Sequence, residues 1–316
     1  MPSFDSVNYS IRPNKAVERS IVFSDLVKLS RIVDLATHQY LGLGSIWFVD
    51  FLMAHKVLGI KSMISIEKDE IGYVRAEYNR PLSCIKVKKG ETTNVIRTIK
   101  LEDSPSVVWF DYDTSIGGPV LSDIGLLVPK CAQNSIVIVT INAKADELPN
   151  KDENDHAIDQ ETSLRRIAGD LVPTPLDRRR FQRPHYPKLL GEILANHFQN
   201  VIVDSGRAES FVKLFDLAYS DGTPMITLGG IIAPEDKVEK IQGLVNSTEW
   251  AGIVPDLIAV PPLTVKEKLA LDRTMPSNTP LSYSQMKKIG FLLKQNQIDA
   301  YHKYYLHYPL FGQIDL

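Results

Sequence analysis

The chain has 316 residues, of which 44% are hydrophobic and 23% charged, and its 36 Lys and Arg nearly balance its 38 Asp and Glu. A chain of this length buries a large core without disulfide or metal support, and a net charge of −2 excludes a uniformly basic nucleic-acid-binding coat. The sequence shows no metal-ligand spacing, and neither its N-terminal residues nor its apolar runs fit a secretory leader or a membrane span. We therefore expect a cytoplasmic protein with no metal site and no membrane partner.

Short apolar runs alternate with helical segments over the first half of the chain. Runs over 40–43, 63–66, 84–87, 107–110 and 136–141 predict strands. Apolar spacing predicts helices over 22–36, 46–58, 92–99 and 120–130, and one that ends near residue 79, before Pro81. This alternation is typical of a doubly wound, mostly parallel α/β sheet whose strands are buried on both faces.

The second half of the chain has a different pattern. Residues 144–163 are polar and acidic and are followed by a basic stretch, so we expect an insertion over 144–185. Asp221-Gly222 lies between two apolar runs and predicts a β-hairpin. Thr264 with Glu267 and Ser282 with Gln285 predict capping boxes at two helix starts. The expected organisation is an N-terminal arm (1–21), a main domain (22–235) and a C-terminal helical subdomain (236–316).

A glycine turn follows the first predicted strand and opens a helix. Gly42 and Gly44 let the backbone turn sharply and pass close to a ligand, although such turns also occur where nothing binds. Trp47 stands at the third glycine position of the dinucleotide fingerprint, which makes a nicotinamide dinucleotide a poorer fit.

Acidic residues follow the next three predicted strands, where the crevice of an open α/β sheet lies. Glu67 suits the hydroxyls of a ribose, with a solvated strand-end glutamate as the alternative. Glu91, after Gly90, suits an adenine edge or belongs to a plain turn. Asp111 and Asp113 suit a general base and a hydrogen-bond acceptor, unless Asp113 only caps the next loop.

In this order, the features resemble the class I S-adenosylmethionine-dependent methyltransferases over about residues 22–232. The resemblance implies a seven-stranded Rossmann-like sheet with an antiparallel hairpin, and S-adenosylmethionine as the cofactor. The segments GLGSIWFVDF, MISIEKD and FDYD are similar to bacterial proteins classed as O-methyltransferases. The residues that the resemblance places at the cofactor are Tyr40, Gly42, Gly44, Ser45, Asp50, Glu67, Gly90 and Glu91.

The sequence departs from the family pattern in the glycine turn. Tyr40 stands where the family carries an acid, and Ile46 stands where it carries a third glycine. Asp50 is our candidate to replace the missing acid near the methionine amino group. The Asn-Pro-Pro-Tyr type of motif is absent, which favours a hydroxyl acceptor, with Asp111 or Asp113 as the base.

The acceptor is less well defined by the sequence than the cofactor. Arg12, Lys15 and Arg19 suit an anionic acceptor such as a phosphate, or belong to a solvated arm with local ion pairs, and Tyr112 is a further candidate contact. The predicted function is O-methyl transfer, of the EC 2.1.1 type, to a nucleotide, a nucleic acid or a small hydroxylated molecule. The alternatives are a non-catalytic S-adenosylmethionine-binding subunit of a bacterial assembly, for instance in phage defence, and a nicotinamide-dependent oxidoreductase. A protein partner or a homodimer is compatible both with the methyltransferase and with the non-catalytic subunit.

Overall fold

Five parallel strands and a terminal hairpin form the sheet in the computed structural model, which describes residues 12–44 and 46–310. The strands are β1 (Gln39–Leu43), β2 (Ser62–Glu67), β3 (Ile85–Lys89), β4 (Ser106–Ser115), β5 (Ile136–Asn142), β6 (Ser210–Ser220) and β7 (Pro224–Ala233). Their order is β3-β2-β1-β4-β5-β7-β6, with β1 to β5 parallel and β7 antiparallel to both of its neighbours. The predicted doubly wound, mostly parallel sheet with a terminal hairpin is confirmed.

Helices cover both faces of this sheet, as expected for parallel strands that are apolar on both sides. The described helices are α1 (Pro13–Leu29), α2 (Val49–Leu58), α3 (Glu70–Asn79), α4 (Thr92–Thr98), α5 (Gly118–Lys130), α6 (Gln160–Ala168), α7 (Tyr186–Asp204), α8 (Glu235–Val245), α9 (Val265–Asp272), α10 (Tyr283–Ile289) and α11 (Gln295–Tyr304). One core lies between the sheet and α1, α2, α3 and the C-terminal helices, and a second lies between the sheet and α4, α5 and α7. The carboxyl ends of the parallel strands share one edge, where the candidate site lies.

Helix α1 begins nine residues earlier than the sequence predicts, at Pro13 rather than at residue 22, and it ends at Leu29. Residues 13–21, expected in an N-terminal arm, therefore form the first half of a buried helix. The apolar pattern missed them because Lys15, Glu18 and Arg19 continue the buried face of the helix with charged side chains. Proline at the first helical position suits this start, since its missing N–H is not needed there.

Strand β4 extends beyond its predicted end. Asp111-Tyr112-Asp113, expected after the strand, lies inside it. Asp111 still pairs with Thr140 on β5, and the register then shifts before Ser115 pairs with Asn142. Bulges of this kind change the direction of side chains near functional edges.

The insertion over 144–185 is partly helical and packs on the molecule. Helix α6 begins inside the segment that the sequence predicts as loop. Leu164 and Val172 join the core on the α5 and α7 side of the sheet. At the end of the insertion, Arg183 donates to the Gly222 carbonyl in the β6–β7 turn, at 2.8 Å.

The C-terminal helices share the core of α1. Leu271, Met286 and Tyr301 are buried in the same cluster as the apolar residues of α1 and α2. Both predicted capping boxes are confirmed, at the starts of α9 and α10. None of the helices in the described part of the chain combines the length and the apolarity that a bilayer span requires.

Candidate functional site

The ends of β1 and β2 bring Gly44 against Glu67. A Cβ atom on Gly44 would lie 2.5 Å from Glu67 Oε2 and 2.9 Å from the Ile66 carbonyl, so only glycine fits here. The Glu67 Oε1 atom accepts a hydrogen bond from the Asp69 N–H at 2.8 Å, which fixes the carboxylate at the strand end. Partial burial raises the pKa of Glu67. A half-buried acceptor therefore lies directly beside the glycine turn.

Gly42 has a different role from the one the sequence suggests. A Cβ atom on it would lie 3.0 Å from the Phe51 ring and 3.2 Å from Tyr40, so the missing side chain makes room for packing within the protein. The Tyr40 and Phe51 rings meet edge to face, with centroids 4.9 Å apart. Phe48, at the start of α2, packs on Phe51 and adopts a positive φ of 48°. The turn thus builds an aromatic cluster behind the glycines, which the glycine spacing alone did not reveal.

Tyr40 and Asp50 form a hydrogen-bonded pair. The buried Tyr40 hydroxyl donates to Asp50 Oδ2 at 2.6 Å, and burial raises the pKa of Tyr40 well above its usual value. Asp50 lies in the first turn of α2, whose N-cap, Phe48, forms no side-chain capping bond. The tyrosine that replaces an acid on β1 therefore holds a carboxylate supplied by the next helix.

Gly90 and Glu91 differ in how they relate to this edge. The Gly90 N–H donates to the Glu67 carbonyl at 3.0 Å, with a φ of 147° that favours glycine. The Glu91 side chain is exposed at the N-cap of α4 and makes no capping bond. Gly90 thus ties the ends of β3 and β2 together, whereas Glu91 faces solvent.

Asp111 is held by a cation from α1. Lys15 Nζ lies 2.8 Å from Asp111 Oδ2, and the Lys15 side chain is buried while that of Asp111 is about one-third exposed. The ammonium also lies 4.9 Å from the centroid of the Trp109 ring and 5.2 Å from that of Tyr219. Lys15 therefore fixes the orientation of Asp111 from inside the protein.

A buried polar chain that the sequence analysis did not find continues behind Lys15. Glu18 is fully buried, with its Oε2 atom 3.4 Å from Lys15 Nζ and its Oε1 atom accepting from the Thr227 hydroxyl at 2.6 Å. Thr227 shares a 2.7 Å hydrogen bond with Thr140, which accepts from Trp109 Nε1 at 3.0 Å. Burial is the main cause of the raised pKa of Glu18. The only signal of it in the sequence is the helical spacing of residues 15, 18 and 22, which places them on one face.

Tyr112 and Asp113 do not join Asp111. The Tyr112 hydroxyl donates to Asp123 Oδ2 on α5 at 2.7 Å, and burial raises the pKa of Tyr112. Thr93 on α4 donates to the other Asp123 oxygen at 2.5 Å, so this contact joins β4 to two helices. Asp113 is exposed. Ser45, predicted at the cofactor, lies outside the described residues.

The three predicted cations on and before α1 have separate environments. Arg12 Nε lies 3.7 Å from Asp221 Oδ2, and the same carboxylate accepts from the backbone N–H groups of Asn14 and Lys15. Arg19 is only 8% exposed. Among the residues that the structure describes, Arg19 Nε has no hydrogen-bond partner.

The structure therefore brings Gly44, Glu67 and Gly90 together at one end of the strand edge. Tyr40 and Asp50 are paired beside β1, and Asp111 lies on β4 with Lys15. Within the described ranges, no group of three or more His, Cys, Asp or Glu side chains is arranged to hold a metal ion.

Comparisons with solved structures find matches at low sequence identity and with TM-scores below 0.5. A Trm1 from Pyrococcus horikoshii in complex with S-adenosyl-L-methionine matches 72% of this chain and 57% of its own, with 12% identity and a TM-score of 0.48. The chain thus spans little more than half the length of that protein. An O-methyltransferase from Bacillus cereus in complex with SAH matches 66% of this chain and 80% of its own, with 14% identity and a TM-score of 0.38. No curated protein matches the chain in sequence.

A protein-family model gives the assignment. It matches residues 7–316, which is nearly the whole chain, and it confirms the sequence resemblance to methyltransferases. The protein therefore belongs to the family described as "Putative O-methyltransferase".

Proposed function

We propose that this chain is an S-adenosylmethionine-dependent methyltransferase that transfers a methyl group to a hydroxyl oxygen of its acceptor. The observation that carries the proposal is the fit of Glu67 against Gly44 at the ends of β1 and β2. A carboxylate at this position in an open α/β sheet is suited to the two hydroxyls of a ribose. The family match favours this reading over a nicotinamide-dependent oxidoreductase.

The residues at the edge fit the polar parts of the donor. Glu67 Oε1 is engaged by a backbone N–H, so Oε2 is the oxygen that we assign to the ribose. The Tyr40–Asp50 pair supplies a carboxylate for the methionine ammonium. Gly90 shapes the end of β3 for the adenine, and Glu91 and Ser45 remain candidate contacts there and in the glycine turn. Together these residues cover the sugar, the amino acid and the base.

Asp111 is the proposed base. Its Oδ2 atom is held by Lys15, which leaves Oδ1 to accept the proton of an acceptor hydroxyl. The donor, when bound, supplies a methyl group on a positively charged sulfur. Asp111 would take the hydroxyl proton of the acceptor as the acceptor oxygen gains the methyl group that the sulfur releases. Asp113, which is exposed on the same strand segment, is the second candidate.

Titration calorimetry with S-adenosylhomocysteine, followed by labelled-methyl transfer to cell extract fractions, tests the proposal. We expect micromolar binding and label in at least one fraction. Asp111→Asn removes the base but keeps the shape, so we expect transfer to fall by 10²-fold or more with donor binding unchanged. Asp113→Asn is the matched comparison on the same strand.

The possible results separate the candidate functions. No binding of S-adenosylhomocysteine by the wild type contradicts the proposal. Binding without transfer to any fraction favours the non-catalytic subunit, which the replacement of the third turn glycine by Ile46 also motivates. If transfer is lost in Asp113→Asn but not in Asp111→Asn, Asp113 is the base.

A further inference from the structure

Arg19 is a buried cation without a counter-ion in the described chain. The residue is 8% exposed, and its Nε atom is fully buried with no hydrogen-bond partner among the described residues. None of the ion pairs formed between described residues includes it, although Lys15 on the same helix pairs with both Glu18 and Asp111. Guanidinium groups are rarely buried unless an anion or several acceptors surround them.

The position of Arg19 links it to the candidate site. It lies one turn after Lys15 and one residue after Glu18, on the face of α1 that packs against the sheet. Burial raises the pKa of Tyr40 on β1, of Tyr219 on β6 and of Glu18, and the charge of Arg19 acts against each of these rises. Arg19 is therefore buried on the same helix as Lys15, one turn after the residue that reaches Asp111 on β4.

Each of the neighbouring carboxylates has another partner. Asp50 accepts from Tyr40, and Asp111 is held by Lys15. Glu18 is engaged by Thr227 and Lys15. Arg12 differs from Arg19, because Asp221 pairs with it at the end of α1. Of the three cations that the sequence assigned to an anionic acceptor, Arg19 is the one that forms no ion pair within the described chain.

We propose that Arg19 binds a carboxylate or phosphate group of a molecule held in the crevice. This inference rests on the proposed function, because it takes the crevice as the place where donor and acceptor meet. Two sources carry the required chemistry: the amino-acid carboxylate of the donor and an anionic group on the acceptor. The fork of N–H donors on a guanidinium suits either of them.

Titration calorimetry on wild type, Arg19→Met and Arg19→Lys tests the proposal with four probes. These are S-adenosylhomocysteine, 5′-methylthioadenosine, which lacks the amino acid, inorganic phosphate, and salicylate, whose carboxylate neighbours a hydroxyl. The two anions are titrated with and without saturating S-adenosylhomocysteine. We expect Arg19→Met to weaken at least one carboxylate- or phosphate-bearing probe by about 10- to 100-fold, and Arg19→Lys to weaken it less. Arg31→Met is the matched control, since Arg31 is exposed and paired with Glu249.

The pattern of losses identifies the source of the anion. Weaker S-adenosylhomocysteine with unchanged 5′-methylthioadenosine assigns Arg19 to the donor carboxylate. Weaker phosphate or salicylate with unchanged S-adenosylhomocysteine assigns it to the acceptor. If all four probes bind Arg19→Met as they bind wild type, or if wild type binds no anionic probe, the proposal is overturned.

Two further results keep the test decisive. If wild type binds phosphate or salicylate but does not bind S-adenosylhomocysteine, the proposed function is contradicted, whereas the proposal that Arg19 binds an anion is not. Circular dichroism and thermal unfolding show whether each variant folds. Arg19→Gln, which keeps amide donors without the charge, replaces Arg19→Met if that variant does not fold.

Discussion

At the scale of single residues, the two glycines of one turn have different neighbours. The Glu67 carboxylate occupies the space where a Gly44 side chain would lie, and the Phe51 ring packs where a Gly42 side chain would lie. A Cβ atom on Gly42 would require the Phe51 ring to shift by a few tenths of an ångström, whereas one on Gly44 would clash with a backbone carbonyl and with a polar group of the candidate site. The same Gly-x-Gly pattern therefore places one glycine beside the candidate ribose carboxylate and the other against a packed ring.

Gly44→Ala tests this difference. Its Cβ atom would lie 2.5 Å from Glu67 Oε2 and 2.9 Å from a backbone carbonyl, so the Glu67 carboxylate must move. We expect the affinity for S-adenosylhomocysteine, measured by calorimetry, to fall by about tenfold or more, which corresponds to ~1.4 kcal/mol.

Gly125→Ala is the control for Gly44→Ala. A Cβ atom on Gly125, in the middle of α5, would meet nothing within 4 Å. We expect unchanged affinity there, and a free energy of unfolding that is equal or higher by up to about 1 kcal/mol, because alanine favours the helix. Equal affinities for the two variants would contradict the assignment of Gly44 and Glu67.

At the scale of elements, the β6–β7 turn caps helix α1. Asp221 accepts from the Asn14 N–H at 3.0 Å and the Lys15 N–H at 2.9 Å, in the first turn of α1. Arg12, the N-cap residue of α1, makes no side-chain capping hydrogen bond. A carboxylate at the N-terminus of a helix also interacts favourably with the helix dipole. Asp221, which the sequence identified as a turn residue, therefore docks the helix that carries Lys15 and Arg19.

Asp221→Ala tests this contact between elements. The substitution leaves the two backbone N–H groups without their acceptor, while the Asn14 amide keeps only its hydrogen bond to the Ser220 carbonyl. We therefore expect the free energy of unfolding to fall by about 1–3 kcal/mol. Chemical denaturation monitored by circular dichroism measures it. The exposed Asp204, at the end of α7, is the control, and Asp204→Ala should change the free energy by less than about 0.5 kcal/mol. A loss no larger than that of the control would show that α1 docks without this cap.

At the scale of the whole molecule, one layer joins the two ends of the described chain to the sheet. Buried residues of α1 and of α9 to α11 belong to one core. Polar contacts reinforce the layer, since Asp25 on α1 accepts from the Ala251 N–H at 2.9 Å. The buried Glu18 connects this layer to the central strands through Thr227. Division of the chain into separate domains stays a prediction.

Glu18 should make the stability of the molecule depend on pH. Burial raises its pKa in the folded state above the unfolded value, so the folded state binds the proton more tightly. The free energy of unfolding therefore falls as pH rises from the unfolded pKa through the higher folded pKa. Glu18→Gln keeps an acceptor for Thr227 and removes this titration.

Denaturation of wild type and Glu18→Gln at pH 5 and pH 8 measures the effect. We expect the variant to gain stability relative to wild type between these values, because only the wild type loses stability as Glu18 ionises. Glu239→Gln, on the exposed side of α8, should track wild type at both values. A difference between Glu18→Gln and wild type that does not change with pH would contradict the prediction.

Local patterns determined most of the fold. Short apolar runs mark β1 to β5, the Asp221-Gly222 turn separates β6 from β7, and two capping boxes begin α9 and α10. Each of these signals depends on neighbouring residues along the chain, so the sequence by itself predicted the strands, their mostly parallel sheet and the terminal hairpin. The placement of Gly44 and Glu67 at one edge followed from the same strand order.

Only the tertiary structure decided which charges meet. The pairs Lys15–Asp111, Glu18–Thr227 and Asp221 with the start of α1 join residues far apart in the sequence. Residues 13–21 were predicted as part of an arm because hydrophobic periodicity treats a charged side chain as exposed. A charged side chain is buried, however, where the folded chain supplies its partner. That partner depends on the packing of α1 across the sheet, which no local pattern encodes.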